Sequence, residues 1–385
     1  MSELNRTVPR VGMVGGGQLA RMTHQAGIAL GADFSVLAAS PSDSAALVCG
    51  DVRLGDDRGL EDLLAFGKSC DVLTFDHEHV PEPVLRRLEE EGVVLRPGRD
   101  ALRFAQDKLR MRVRAGELGA PCPRWRPVSE AAHVEAFAAE TGWPVVLKAA
   151  RGGYDGKGVW VVGTAAEART VVERAAAEEV PLLVEEKVDF SRELAVQVAR
   201  SPYGQVAAYP VVETVQRDGI CHEVVAPAPG LDPDTAVRAQ ELAIELAHAL
   251  GVVGMLAVEL FATADGVVVN ELAMRPHNSG HWTIEGARTS QFENHLRAVL
   301  DLPLGSPEAA APVTVMANLL GGEDPDVYGR YVHVMAKDPG LKVHFYGKQV
   351  RPGRKIGHVT VLGDDPEELL ARARDAAAYL KGDPQ

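Results

Sequence analysis

Residues 259–278 hold the densest chemistry in the chain: Glu259-Leu-Phe-Ala-Thr-Ala-Asp-Gly-Val-Val-Val-Asn270-Glu271-Leu-Ala-Met-Arg275-Pro-His277-Asn278. Stretches 258–261 and 267–271 read as two strands joined by a turn at Asp265-Gly266. Hairpin pairing brings Glu259 and Glu271 together although they are 271 − 259 = 12 positions apart. Two buried carboxylates side by side repel, and one takes up a proton unless a cation intervenes. Hard oxygen ligands, with Asn278 as a neutral third, suit Mg²⁺ carrying substrate phosphates. The plainer alternative is a surface hairpin with solvated acids.

A phosphate partner for such a metal lies upstream. Stretch 144–148 is a short apolar strand ending in Lys148, followed by Arg151-Gly-Gly-Tyr-Asp-Gly-Lys-Gly158 and a second strand at 159–162. A glycine-rich turn between strands lets backbone N–H groups close over phosphate oxygens, because no Cβ blocks the approach. Lys148 and Lys157 add point charges. An ordinary glycine-rich hairpin is the competing reading. The loop is not a Walker A sequence, since Gly-Lys is not followed by Ser or Thr and a helix.

The elements that must position these groups divide into several units, as 385 residues suggest at ~150 per domain. With 46% hydrophobic and 24% charged residues the chain can build ordinary cores. A formal net charge of −14 argues against nucleic-acid binding, which rests on basic surface. Cys49, Cys70, Cys122 and Cys221 are scattered, without zinc spacing, and fit a reducing compartment. Residues 1–10 lack the apolar core of a signal peptide, and no apolar run approaches the ~20 residues of a membrane helix. The expected location is the cytoplasm, with no membrane partner.

Along the first hundred residues strands are expected at 11–14, 34–38 and 72–75, with helices at 18–30 and 81–91. This is a parallel α/β unit of the doubly wound kind. Its Gly15-x-Gly17-x-x-Ala20 turn invites a dinucleotide reading, but the second strand ends in Ala38-Ala39-Ser40, without the acid a ribose requires. The turn could still bind an anion at the helix N-terminus. His77, Glu78 and His79 could pass for a metal site, although zinc needs a further ligand. Downstream we expect helices at 106–118, 129–141, 164–178 and 232–250, and strands at 182–185, 193–199, 207–212 and 220–225. The tail should hold strands 313–318 and 358–362, a basic stretch at 347–355, and helix 366–380.

Lys108, Lys148, the glycine loop, Glu185, Glu193 and the Glu259/Asn270-Glu271 set follow the order used by the ATP-grasp superfamily. More specifically, the whole chain resembles the N5-carboxyaminoimidazole ribonucleotide synthase family. The resemblance rests on Val11-Gly-Met-Val-Gly-Gly-Gly-Gln-Leu-Ala-Arg-Met22, Thr74-Phe-Asp-His-Glu-His-Val-Pro81, the loop 151–158, Asn270-Glu-Leu-Ala-Met-Arg-Pro-His-Asn-Ser-Gly280 and Tyr346-Gly-Lys-Gln-Val-Arg-Pro-Gly-Arg-Lys-Ile-Gly-His-Val-Thr360. It implies an α/β and α+β protein: an ATP-grasp fold preceded by a Rossmann-like parallel domain, with a small mixed C-terminal segment. The implied units are 1–107 (Rossmann-like), 108–187 (lid and connecting helix), 188–311 (nucleotide and metal) and 312–385 (completing the ribonucleotide site).

The same resemblance implies a ligase that joins bicarbonate to 5-aminoimidazole ribonucleotide using ATP and Mg²⁺ (or Mn²⁺), as a homodimer. Lys108 and Lys148 match its nucleotide-contacting basic residues, and Gly153, Tyr154, Asp155, Gly156, Lys157, Gly158 and Val159 its lid loop. Glu185, Glu186, Lys187 and Val188 match a hinge whose backbone reads adenine, and Glu193 the ribose contact. Gln216 stands where the family often has histidine, leaving that contact open. Asn270 and Glu271 border the nucleotide, while Glu259, Glu271 and Asn278 match the metal set. Arg275 and His277 suit bicarbonate and the migrating phosphate, and Tyr154, Asp155 and Lys157 complete the reacting groups, Asp155 as the base. Gly16, Gln18 and Glu78 join Lys348, Arg351 and Arg354 around the ribonucleotide. Rival readings are a formate-activating or biotin-carboxylating relative, a nucleotide-binding regulator and a nicotinamide oxidoreductase.

Overall fold

The computed structural model describes residues 8–153 and 156–383. Three sheets carry the chain. The first is fully parallel, in the spatial order Val52–Leu54, Asp33–Ala38, Arg10–Val14, Val72–Phe75. Its two central strands are apolar along nearly their whole length, as expected where helices cover both faces. Helix Gln18–Leu30 follows the first strand as expected and ends on Gly31 in the left-handed region (φ 66°). The short strand 52–54 and helix Leu60–Gly67 were not legible beforehand. The strand is three residues long and only partly buried, so it leaves little periodic signal.

The second sheet is small and antiparallel, ordered Trp125–Val128, Leu182–Glu186, Val145–Ala149, Val159–Val162. Helices Ala131–Thr141 and Ala165–Ala177 pack on it around Val134, Phe137, Leu147 and Val184. The expected helix at 106–118 is present as Lys108–Glu117, and a further helix, Arg99–Gln106, precedes it. Arg99–Gln106 ends at Asp107, whose carboxylate then caps Lys108–Glu117 by accepting from the N–H of Leu109 and Arg110.

Nine strands form the third sheet, and here one expectation fails. Residues 207–212 are not one strand but the end of Val206–Ala208 and the start of Val212–Arg217. Pro210 lies in the gap, where it has no N–H to give a ladder. Ile220–Ala226 pairs with Val313–Leu320, which pairs with Lys355–Gly363, and Lys342–Phe345 closes that edge. The C-terminal strands therefore extend the same sheet that carries the 254–273 hairpin. Helix Pro366–Lys381 covers them through Leu369, Ala373 and Leu380. Among the described residues no helix is long and apolar enough to cross a membrane.

Candidate functional site

Strands Gly254–Thr263 and Gly266–Ala273 form the expected hairpin, with an irregularity at its functional end. From the turn the register runs Thr263 with Gly266 to Leu260 with Val269, then jumps to Glu259 with Glu271. Asn270 is the extra residue of a β-bulge. Without the jump, Glu259 would face Asn270. A bulge re-aims side chains next to it, and here consecutive residues reach two cations. Lys148 Nζ donates to Asn270 Oδ1 (3.0 Å), and Lys108 Nζ to Glu271 Oε1 (2.7 Å).

Lys148 rises from the small sheet, nearly buried, with its Nζ 2.7 Å from Glu185 Oε2. The other oxygen of Glu185 accepts from Arg112 Nε at 2.6 Å. Burial opposes the charge on Glu185, but Lys148 and Arg112 outweigh it and hold the carboxyl below its usual range. Arg112 was not singled out in the sequence; its spacing from Lys108 (i, i+4 on one helix) is the signal that could have found it.

Glu259 is pushed upward by desolvation first, then by the charges of Glu271 and Glu193. Glu193 itself is raised to about 7 by burial, and its side chain has no hydrogen-bond or ion-pair partner among the described residues. His277 is held to about 3 by burial and the charges of Arg275 and Lys355, so the ring is neutral. Its Nδ1 faces Ser279 Oγ (2.8 Å), while Nε2 lies 3.4 Å from Glu259 Oε1. Lys355, absent from our candidate set, thus exerts its field on both Glu259 and His277. Asn278 exchanges two amide hydrogen bonds with Asn318, at 2.9 and 2.7 Å.

No three His, Cys, Asp or Glu side chains gather as a metal cage among the described residues. The donors fit the other style of site, one or two carboxylates that hold Mg²⁺ jointly with phosphates. The opposed Glu259 and Glu271, where burial and then the charge of Glu271 raise Glu259, are the structural sign of that fit. The trio 77–79 does not converge. His77 turns to Asp57 (2.9 Å) and stacks on His79, while Glu78 points elsewhere.

Around the glycine loop, Gly153, Gly156, Lys157 and Gly158 lie between the strands 145–149 and 159–162, and Val159 begins the second, opposite Lys148. Gly158 adopts φ +79°, and a Cβ there would meet Ala149 Cβ at 3.0 Å. Tyr154 and Asp155 lie outside the described residues. The expected hinge needs one correction. Glu185 sits in a strand flanked on both sides, opposite Trp125 and Val146, so its backbone is committed to the sheet. What it presents is its carboxylate. Glu186 ends the strand, with its side chain accepting from Arg124 N (2.8 Å), which leaves Lys187 and Val188 free of the ladder. Gln216 falls at a register shift opposite Cys221.

The first domain meets the hairpin through Glu78, which accepts from Met274 N (2.9 Å) and lies 3.3 Å from Arg275. A cleft of about 460 Å³ opens beside it, lined among others by His79, Arg103, Gln106, Arg110 and Arg151. Gln18 bonds to Lys348, joining the two ends of the chain. The anion expected at the N-terminus of helix Gln18–Leu30 comes from the protein itself. Asp76 accepts from the N–H groups of Gly17 and Ala20, and Gly16 packs on Asp43 and Ala38. Arg351 and Arg354 are exposed and both reach Gln349, by its side chain and its carbonyl.

Comparison with known proteins agrees with this geometry. Residues 8–106 match the ribonucleotide synthetase preATP-grasp domain, 113–292 the ATP-grasp domain, and 314–372 the phosphoribosylaminoimidazole carboxylase C-terminal domain. The N5-carboxyaminoimidazole ribonucleotide synthase of Mycobacterium tuberculosis (strain ATCC 25618 / H37Rv) is 55% identical over 97% of this chain and 88% of its own. The crystal structure of the synthetase from Thermus thermophilus superposes with a TM-score of 0.86 at 39% identity, covering 97% and 99% of the two chains. That of the Aspergillus clavatus synthase, in complex with ADP and 5-aminoimidazole ribonucleotide, gives 0.88 at 32% identity, covering 97% and 98%. Three sheets in this order, a lysine pair facing a carboxylate hairpin, and likeness along nearly the full chain place it in the N5-carboxyaminoimidazole ribonucleotide synthase family.

Proposed function

We propose that the chain catalyses ATP-dependent carboxylation of 5-aminoimidazole ribonucleotide with bicarbonate, in purine biosynthesis. The observation that carries this reading is the bulged hairpin, where Lys108 and Lys148 meet Glu271 and Asn270 opposite Glu259. The γ-phosphoryl group passes to a bicarbonate oxygen, giving ADP and carboxyphosphate. The exocyclic amine then attacks the carboxyl carbon, either of carboxyphosphate, with the C–O bond to phosphate breaking as N–C forms, or of CO₂ released from it together with phosphate, and the amine proton passes to a base. Such chemistry rests on positioning and charge neutralisation. Lys108 and Lys148 supply cations for the triphosphate, and Glu193 and the 187–188 backbone take ribose and adenine. Glu259 and Glu271 would hold Mg²⁺, which would neutralise charge on the phosphates. Asn278, seated on Asn318, stands at that edge as the neutral donor.

Arg275, fixed by Glu78, and neutral His277, whose Nε2 lies 3.4 Å from Glu259, serve bicarbonate and the migrating phosphate. Asp155, beside Tyr154 and Lys157, receives the amine proton. Gln18, Glu78, Lys348, Arg351 and Arg354 bind the ribonucleotide from two units. In this reading the units are 1–107, 108–187, 188–311 and 312–385, and the protein acts as a cytoplasmic homodimer, which sedimentation checks. The decisive experiment measures phosphate release with ATP, bicarbonate and aminoimidazole ribonucleotide, omitting each in turn and substituting formate for bicarbonate. Full activity without bicarbonate, or with formate in its place, rejects the assignment.

A further inference from the structure

Arg112 lies outside every role assigned above, yet it is among the most buried charges in the chain, 1% exposed. Its Nε donates to Glu185 Oε1 (2.6 Å), one terminal nitrogen to Val269 O (3.0 Å), and the other to Asn270 O (2.8 Å). Those carbonyls belong to the bulge residue and the one before it. Glu185 passes the contact to Lys148, and Lys148 returns it to the Asn270 side chain. The result is a closed ring: Arg112, Glu185, Lys148, Asn270 side chain, Asn270 backbone, Arg112. Lys108, one turn earlier on the helix, holds the next residue, Glu271.

We propose that Arg112 is a positioning residue that locks the bulge at Asn270, and thereby sets Glu271 against Glu259 and Asn270 against Lys148. The proposal rests on the reading of this hairpin as the Mg²⁺–ATP site. Strand 266–273 is the edge of its sheet, with the Val269 N–H turned outward to Pro121 O, so the outward carbonyl of Val269 and that of the bulge residue Asn270 lack ladder partners. A buried carbonyl without a partner is costly. The planar guanidinium can satisfy two such carbonyls and a carboxylate at once, which an ammonium cannot do in one plane. A register without the bulge would put Glu259 opposite Asn270 and leave the pair of carboxylates out of step.

Arg112→Lys and Arg112→Gln test this. The first keeps the positive charge beside Glu185, and the second keeps an amide donor, but neither keeps the fork. Both should raise KM for ATP and the Mg²⁺ concentration for half-maximal rate by ~10-fold or more, with KM for aminoimidazole ribonucleotide within about two-fold of wild type. Hydrogen exchange should quicken in peptides covering 266–273. Wild-type constants in Arg112→Lys would reduce Arg112 to a counter-charge and overturn the proposal. So would an equal rise in both KM values, or failure of both variants to fold, which would make the residue purely structural. Failure of the function itself would show separately, as inactivity of the wild-type enzyme with these substrates.

Discussion

Lys348 donates through Nζ to the side-chain oxygen of Gln18, a residue 330 positions earlier. The contact joins the basic segment of the last strands to the first helix, so residues from both ends of the chain meet there. Arg21 strengthens the same junction by reaching Ser44 O at 3.0 Å, and Ser44 Oγ donates to Tyr346 O at 2.5 Å.

Arg354 lies on the exposed turn just beyond this junction. Arg354→Ala should raise KM for aminoimidazole ribonucleotide by ~10-fold, the scale of one charge-assisted hydrogen bond, and leave KM for ATP nearly unchanged. Steady-state kinetics with each substrate varied will check it. A loss confined to ATP would assign the basic segment to the wrong substrate.

Glu271 is both the partner of Lys108 and the neighbour of Glu259. Glu271→Gln retains shape while removing one charge, so turnover at saturating substrates should fall by more than ~100-fold, as for loss of a preorganised electrostatic contact. Near-normal turnover at ordinary Mg²⁺ concentration would refute the metal assignment.

Asp155→Asn separates activation of bicarbonate from its transfer. An asparagine can keep a turn hydrogen bond but cannot accept the amine proton. Carbamate formation should fall far more than phosphate release, because carboxyphosphate forms and hydrolyses unused. Both products are measured in one reaction, and an equal drop in the two removes the dedicated role.

His295 sets an acid limit on stability. It is fully buried between Thr74 Oγ1 (2.7 Å) and the N–H of Met255 (3.2 Å), and burial lowers it to about 3. An unfolded histidine titrates near ~6.5. Between those values the unfolded chain binds the extra proton, so stability falls as pH drops through this window, by up to ~1.4 kcal/mol per pH unit for each such histidine. His281 and His358, also buried and lowered, add to the slope. Denaturation midpoints should decline below pH ~6.5, less steeply in His295→Gln. Equal slopes in the two proteins would exclude His295 as a contributor.

Much of the site was legible because its chemistry is local. The Glu259–Glu271 pairing follows from alternating strands about a tight turn, and Lys148 from an apolar strand ending in a charge. The parallel first domain was readable from short apolar strands alternating with amphipathic helices. Less visible were strand 125–128, which is exposed in its middle, and the break at Pro210, concealed by apolar residues on both sides. The resemblance supplied roles that no spacing alone conveys.

By itself the sequence determined the residue types, their order, and which strands could carry a phosphate and a metal, because periodicity and turn chemistry act over a few residues. Only the tertiary structure decided that Asn270 bulges, that Glu185 spends its carboxylate on Lys148 and Arg112, and that Asp76 fills the first helix's anion site. These outcomes depend on groups 37 (185 − 148) to 158 positions apart competing for the same buried hydrogen bonds. Partner choice there is set by desolvation and geometry, which exist only once the sheets have packed.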